Sequence, residues 1–471
     1  MNFSPFKNYI AGEWIGSDAV RLNVNPSDTD DVIGEYVHAS VEQAESAIDA
    51  ALEAQKVWAS YTAERRSDAL DRIGSEILGR VNELGHLLSR EEGKTLGEGI
   101  GEATRAGRIF KFFAAEALRS SGERLPAVRP GVDVEVMREP EGVVGLITPW
   151  NFPLAIPAWK IAPALAFGNS VVFKPADLVP GSAWALSEII VRAGELPPGV
   201  FNLLMGRGST VGQTMLASRK IRAISFTGSV ETGRTVGLSC LERGAKVQLE
   251  MGGKNPLIVL NDADLDIAVS TAIQGAFYSA GQRCTASSRL IVEDGIHDAF
   301  VAAMVERMAR LRVDHALKPG TDIGPVASQE QLDQDRQYIA LGVKEGGRLV
   351  AGGDLLQRET RGFYLSPALI TETDNAMRIN REEVFGPVAS VIRVSDYEEA
   401  VEVANDSEFG LSSGICTTSL KYATDFKKRS ASGMVMVNTP TAGVDYHAPF
   451  GGRKGSSHGP REQGSYARDF Y

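Results

Sequence analysis

Apolar residues fall along this chain in two textures. Before about residue 118 they recur in steps of three and four: Ala44, Ile48, Ala51 and Leu52, then Leu70, Ile73, Ile77, Val81, Leu84 and Leu88. Such steps place one apolar stripe on a helix facing a core. Ser40-Val41-Glu42-Gln43 predicts a capping box that opens the first of these helices. The second set predicts one longer helix, and residues 9–14 a short edge strand. From Gly142 the pattern changes to short apolar runs at 142–147, 170–173, 201–205 and 221–226, separated by helical stretches. A second such series follows Gly252, at 257–260, 288–292, 388–394 and 433–437. Strands alternating with helices predict an α/β chain with two doubly wound domains. Residues 1–118 and 141–251 would form the first domain and 252–453 the second, with a terminal segment at 454–471. Residues 133–138 alternate in character between Pro130-Gly131 and Pro140, which predicts a protruding hairpin within 119–140.

In open parallel sheets, ligands bind beyond the C-terminal strand ends. Asn151, Lys174, Gly208 and Ser229 each lie just past one of the first four runs. Ser229 opens a predicted helix whose N-terminus can face a pyrophosphate. The stretch from Phe226 to Thr235 also approaches a P-loop, but Arg234 stands where that motif requires Lys. No Gly-x-Gly-x-x-Gly fingerprint occurs.

The chemistry centres on Gly281-Gln282-Arg283-Cys284. Arg283 and the neighbouring backbone N–H groups would favour the thiolate of Cys284. Glu250 sits before Gly252-Gly253, and Asn151 lies between two prolines in Pro149-Trp150-Asn151-Phe152-Pro153. A thiol, a carboxylate base and an amide donor are the parts that acyl chemistry on sulfur requires. Cys240 and Cys416 read as buried structural thiols.

Composition narrows the field. At 471 residues two or three domains are expected. A net charge of −11 disfavours a nucleic-acid binder. Three dispersed cysteines form neither a disulfide framework nor a metal set and suit a reducing compartment. No signal peptide or membrane span is read, so the cytoplasm is expected.

In order along the chain, Tyr9-Ile10-Ala11-Gly12-Glu13-Trp14, the Asn151, Glu250 and Cys284 motifs, Glu382-Glu383-Val384-Phe385-Gly386-Pro387 and Pro449-Phe450-Gly451-Gly452 resemble the aldehyde dehydrogenase superfamily. The resemblance implies an NAD(P)-dependent enzyme in which Cys284 is the nucleophile, Glu250 the base and Asn151 an oxyanion donor. It gives Lys160 a supporting or proton-carrying role. It implies cofactor contacts from Ile147, Thr148, Trp150, Gly208, Gly228, Ser229, Met251 and Gly252. Lys174 and Asp177 would meet the adenine ribose, Glu383 the nicotinamide ribose and Phe385 the ring. NAD is favoured over NADP because the Asp177 charge opposes a 2′-phosphate. Arg283, Trp159 and Phe450 would meet the substrate. The hairpin and the terminal segment would carry subunit contacts in a homodimer or homotetramer. Relatives run on past the position of Tyr471 into a further strand that joins a neighbouring subunit's sheet. The segment 442–452, with Ser456-Ser457-His458 and residues 461–464, resembles the branch acting on 2-oxoglutarate semialdehyde. Succinate semialdehyde is the alternative substrate. A cysteine hydrolase, with His447 as its candidate base, and a non-catalytic relative are the alternatives outside dehydrogenase chemistry.

Overall fold

The computed structural model describes residues 4–119 and 122–471. Its first sheet has eight strands in the order Glu13–Ile15, Asn8–Ile10, Phe201–Leu203, Ser170–Lys174, Val143–Ile147, Ile221–Thr227, Lys246–Glu250 and Ser457–His458. The five strands from Phe201–Leu203 to Lys246–Glu250 are parallel. From Val143–Ile147 the chain adds two strands on one side, then crosses to Ile221–Thr227 on the other. This reversal opens a crevice beyond the C-terminal ends of the two strands. Register makes the rim flush: Ile147 lies beside Phe226, and Thr227 beside Glu250.

The second sheet has seven strands, in the order Arg348–Ala351, Ala368–Thr371, Val388–Val394, Ser287–Glu293, Asn255–Val259, Ser412–Cys416 and Met434–Val437. Only residues 251–254 separate the last parallel strand of the first sheet from the first strand of the second. A short link of this kind brings the exit of one sheet to the entrance of the other, where Cys284 stands just before Ser287–Glu293.

Two expectations change in detail. Residues 9–14 form a hairpin, Asn8–Ile10 with Glu13–Ile15, and not one strand. Ala11 and Gly12 both take positive φ (54° and 97°), which a two-residue hairpin turn demands. The helical run over 70–88 is two helices, Ala63–Gly79 and Val81–Glu92, broken at Arg80 with φ −117° and ψ 19°. Arg80 pairs with Glu83 and Glu188, so its side chain pins the break. The Ser40–Gln43 capping box is present. The strands Glu123–Pro126 and Asp133–Val136 pair as a hairpin whose residues are all exposed. The terminal segment packs on the chain's own first sheet: Ser457–His458 pairs with Lys246–Glu250, and Tyr471 is buried in the core.

The helix Ala155–Ala166 is buried along its whole length. A helix apolar on all sides belongs inside a protein, and Lys160 is its one charged residue. A cation there requires partners, because an unpaired buried charge is too costly to keep.

Candidate active site

The loop before Ser287–Glu293 is wound tightly. Ser279, Ala280 and Gly281 all take positive φ (56°, 52° and 65°). Left-handed backbone costs roughly 1–2 kcal/mol for each residue with a Cβ. Ser279 offsets part of this by donating from Oγ to Glu98 Oε1 at 2.8 Å. Gly281 is required sterically, because a Cβ there would strike the Gly386 carbonyl. After this turn the Cys284 carbonyl accepts from Asn255 Nδ2 at 2.8 Å, which fixes the loop to the second sheet.

Cys284 borders two chambers. On one side is a cleft lined by Trp150, Asn151, Thr227, Gly228, Ser229, Met251, Gly252, Glu383 and Phe385 among others. On the other is a cavity of about 360 Å³ whose walls include Phe152, Trp159, Tyr278, Val444 and Phe450, with Lys94, Arg105 and Arg283 as its cations. The structure thus places Trp159, Phe450 and Arg283 together on one side of the thiol and most expected cofactor residues on the other.

The cleft fits a dinucleotide. Ser229 caps the helix Val230–Arg243, with Oγ accepting from Thr232 N at 3.3 Å, so the positive end of that helix opens on the cleft. Thr148 Oγ1 and Thr227 Oγ1 are buried without a partner at the rim of the sheet. Glu383 accepts from Gly253 N at 2.9 Å, and burial pushes its carboxyl up to about 7. A Cβ at Gly252 would collide with the Glu383 carboxylate, so that position requires glycine. Trp150 and Phe385 meet edge to face at 5.4 Å between ring centroids.

Lys174, Asp177 and Gly208 lie past the neighbouring strand ends. Lys174 Nζ donates to the Pro175 carbonyl at 2.9 Å, and burial lowers its pKa to about 8. Gly208 opens a wide helical turn, Gly208–Gly212, with clear space where a Cβ would be. Asp177 is not a free carboxylate: Arg21 pairs with it, and His38 Nε2 lies 2.7 Å from its Oδ1. Burial pushes its carboxyl up, but His38 and Arg21 outweigh this and hold it below the usual range.

The thiol departs from expectation. Burial pushes Cys284 up to about 12, and the carboxylates of Glu383 and Glu250 add to the shift; backbone N–H groups and the Arg283 charge oppose it without overcoming it. Arg283 does not deliver the expected thiolate. Its Nη2 closes on the Gln274 and Gly275 carbonyls, near the C-terminal end of the helix Leu265–Phe277.

Asn151 is buried, and its Nδ2 donates to the Gln282 carbonyl at 3.0 Å. The Asn151 carbonyl receives Lys94 Nζ, which is also bonded to Glu102 Oε2 at 2.9 Å. Glu102 Oε1 in turn accepts from Leu154 N and Ala155 N at 2.9 and 3.1 Å, where the buried helix begins. One charged pair therefore anchors both the amide and the helix that follows it.

Glu250 is buried, with Oε2 accepting from Ser457 Oγ at 2.5 Å and Oε1 from Gln248 Nε2 at 3.2 Å. Burial and the nearby Glu462 charge hold its carboxyl well above the usual range, against Ser457, Lys160 and Arg461. Lys160 pairs with Glu462 and donates to Ser225 Oγ at 2.7 Å; Ser225 Oγ reaches Gln248 Oε1 at 2.8 Å. A polar chain thus runs from Glu250 through Gln248 and Ser225 to Lys160 and Glu462. Sequence reasoning did not single out Glu462, Gln248, Ser225 or the Lys94–Glu102 pair. None has a local signal: the bonds Glu250–Ser457, Ser225–Glu462 and Lys160–Glu462 join positions more than two hundred residues apart, and the bond from Lys94 to the Asn151 main chain spans 57.

A family model described as "Aldehyde dehydrogenase family" matches residues 14–471. An alpha-ketoglutaric semialdehyde dehydrogenase of Bacillus subtilis is 42% identical over 99% of this chain and 96% of its own length. An alpha-ketoglutarate semialdehyde dehydrogenase of Haloferax volcanii is 41% identical over 99% and 97%. The solved betaine aldehyde dehydrogenase of Staphylococcus aureus in complex with NAD+ superimposes with a TM-score of 0.96 at 35% identity, covering 99% of this chain and 93% of that one.

Proposed function

The chain belongs to the aldehyde dehydrogenase family and is an NAD(P)-dependent enzyme, and on that premise we propose that it oxidises 2-oxoglutarate semialdehyde to 2-oxoglutarate. The observation that carries the substrate reading is the charge of the cavity. Lys94 is committed to Glu102 and the Asn151 carbonyl, whereas neither guanidinium, Arg105 nor Arg283, is paired with a carboxylate among the described residues. Against these three cations the lining sets two carboxylates, Glu102 and Glu98, the latter bonded to Thr95 and Ser279, and an aromatic cavity with one surplus positive charge suits a short aldehyde that ends in an anion. The semialdehyde relatives named above support the same reading.

In this mechanism Cys284, at the boundary of the two chambers, gives up its S–H proton to water, and its sulfur attacks the aldehyde carbon to form a thiohemiacetal. The Asn151 amide and the Cys284 backbone N–H stabilise the oxyanion, a donor of this kind being worth about 3–4 kcal/mol in the barrier. NAD(P) bound in the cleft would supply the hydride acceptor, and Cys284 would be left carrying the acyl group as a thioester. Glu250 then turns from Ser457 to activate water, taking the water's proton on its carboxylate as the oxygen attacks the thioester and the Cys284 sulfur leaves; Gln248, Ser225, Lys160 and Glu462 hold that carboxylate in place. Its raised pKa suits a base that must take a proton. Among the described residues no histidine lines either chamber, which speaks against a cysteine hydrolase using His447. Trp150, Gly228, Ser229, Met251, Gly252, Glu383 and Phe385 would hold the cofactor, with Ile147, Thr148, Lys174, Asp177 and Gly208 toward its adenosine half. The exposed hairpin at 123–136 would serve subunit contacts in a dimer or tetramer.

The test is reduced-cofactor absorbance on 2-oxoglutarate, succinate and glutarate semialdehydes, betaine aldehyde and hexanal, each with NAD and with NADP. The highest kcat/KM is expected for 2-oxoglutarate semialdehyde. A preference for hexanal or betaine aldehyde would refute the substrate assignment.

A further inference from the structure

Resting on the carboxylated-semialdehyde reading, we propose that Arg105, on the helix Leu96–Ala117, anchors the substrate's carboxylate, and that Arg283 instead clamps the catalytic loop. Arg105 lines the cavity that ends at Cys284. Its Nη2 donates to Gln463 Oε1 at 2.9 Å, while its Nε is buried with no acceptor. Glu102 and Asp445 bear on its charge, but neither forms a pair with it. Buried donors nearly always find acceptors, so one left open marks a place where a ligand supplies the acceptor.

Two neighbours repeat the pattern. Trp159 Nε1 and Gln463 Nε2 are also buried without acceptors. Trp159 is a cavity wall, with the Arg105 guanidinium 5.9 Å from its ring centroid. Gln463 takes positive φ (59°), an uncommon backbone state for glutamine, which places its amide against Arg105. Arg105 and Trp159 line the cavity and Gln463 lies behind Arg105; donors without acceptors here match the several lone pairs of a 2-oxo acid better than those of a neutral chain end. Contacts lead back to the thiol: Trp159 packs on Phe450 at 5.3 Å between centroids, and Cys284 packs on the Leu411, Met434 and Phe450 cluster.

The other cations fit less well. Arg283 also keeps a buried Nε without an acceptor, but its Nη2 is spent on the Gln274 and Gly275 carbonyls. A cation at a helix C-terminus offsets the dipole, which explains Arg283 without a ligand. Arg461 lies on the far side, against Gly433 and Gly451 and near Glu250.

The experiment compares kcat/KM for 2-oxoglutarate semialdehyde with that for hexanal in wild type, Arg105→Leu, Arg105→Lys and Arg283→Leu, with melting curves as a check on folding. Removing one partner of a desolvated charge pair costs about 30-fold or more. Arg105→Leu should therefore lower the ratio of the two kcat/KM values by at least about 30-fold, with most of the loss in KM for the semialdehyde. Arg105→Lys should restore part of the ratio, since charge returns without the two-pronged geometry. Arg283→Leu should lower both activities and leave the ratio within about threefold of wild type. If Arg105→Leu does not fold, Arg105→Lys and Arg105→Gln carry the same comparison. A ratio unmoved by every folded Arg105 variant, or one that collapses in Arg283→Leu instead, overturns the anchor while the semialdehyde reading stands. A wild-type enzyme that prefers hexanal overturns both.

Discussion

The two chambers that meet at Cys284 are built in different ways. The cofactor-side cleft is rimmed by strand ends and short turns: Trp150 and Asn151 follow Val143–Ile147, Gly228 and Ser229 follow Ile221–Thr227, and Met251 and Gly252 follow Lys246–Glu250. The opposite cavity is walled by two helices, a strained loop and the loop that follows Met434–Val437, which contribute Arg105, Trp159, Ser279 and Phe450. A sheet presents its ends in register, so residues at equivalent positions converge whatever their spacing in sequence. The cavity has no such organising rule, and its composition is free to follow the substrate. Catalysis needs both, because the thiol must face the aldehyde from one side and the hydride acceptor from the other.

Removing the shared element should have the largest effect. Cys284→Ala should lower turnover by more than about a thousandfold, since the nucleophile of a covalent mechanism has no substitute. NAD binding should remain near normal, because the cleft loses only one atom of its wall. Titration of cofactor by calorimetry, beside steady-state assays, checks both. Retained turnover would mean that the two chambers do not meet at the reacting atom.

Glu250→Gln probes a group outside both chambers that must still reach the thioester. Losing a positioned base costs about 100–10,000-fold in the step it serves. Rapid mixing should show a burst of reduced cofactor, then a slow steady state. A slow first turnover without a burst would place Glu250 in thiol activation instead. Gln can still accept from Gln248 through its oxygen and donate to Ser457 Oγ through its amide, so the fold is expected to persist.

The unequal legibility of the two chambers follows from their construction. Hydrophobic runs marked the strands, and Asn151, Gly228 and Ser229 then fell at their ends. Cys284 and Glu250 carry local motifs. Arg105, by contrast, is one arginine on an amphipathic helix, and its sequence neighbours do not reveal that Gln463 lies beside it. The Lys160–Glu462 pair is invisible for the same reason, and so is the contact of Lys94 with the Asn151 main chain. The Cys284 thiol was misjudged because the Arg283 charge was weighed without burial and without the carboxylates of Glu383 and Glu250, which outweigh it. The tight 279–281 turn also sends the guanidinium to main-chain carbonyls.

A smaller effect tests the polar side of the comparison. Glu383 has a folded-state pKa near 7, above its unfolded value of 4.5. The folded protein therefore holds more protons than the unfolded chain between those values, and stability falls as pH rises from about 4.5 through about 7. The shift amounts to at most about 3 kcal/mol, less what access to the cleft screens. Glu383→Gln removes this contribution and keeps an acceptor for Gly253 N. The melting temperature of the variant should gain on wild type as pH rises from 4.5 to 7.5, then run parallel to it. A constant offset across that range would show that Glu383 is ionised and well solvated throughout.

The smallest effect is expected at the far end of the cleft. An isolated carboxylate at 177 would repel a 2′-phosphate, and removing it would shift preference strongly toward NADP. In the structure Asp177 is already held by Arg21 and His38, so most of that repulsion is cancelled. Asp177→Ala also releases Arg21, a planar cation suited to phosphate. The two changes act in the same direction, but Arg21 is partly exposed, and its attraction is weakened by solvent and salt. The NADP-to-NAD ratio of kcat/KM should rise about three- to tenfold, a change worth about 0.6–1.4 kcal/mol. The double variant Arg21→Ala with Asp177→Ala should give back most of that rise, because only the repulsion term then remains. A rise of a hundredfold or more in the single variant would mean that Asp177 meets the ribose as a free charge, with its pairing to Arg21 broken when cofactor binds.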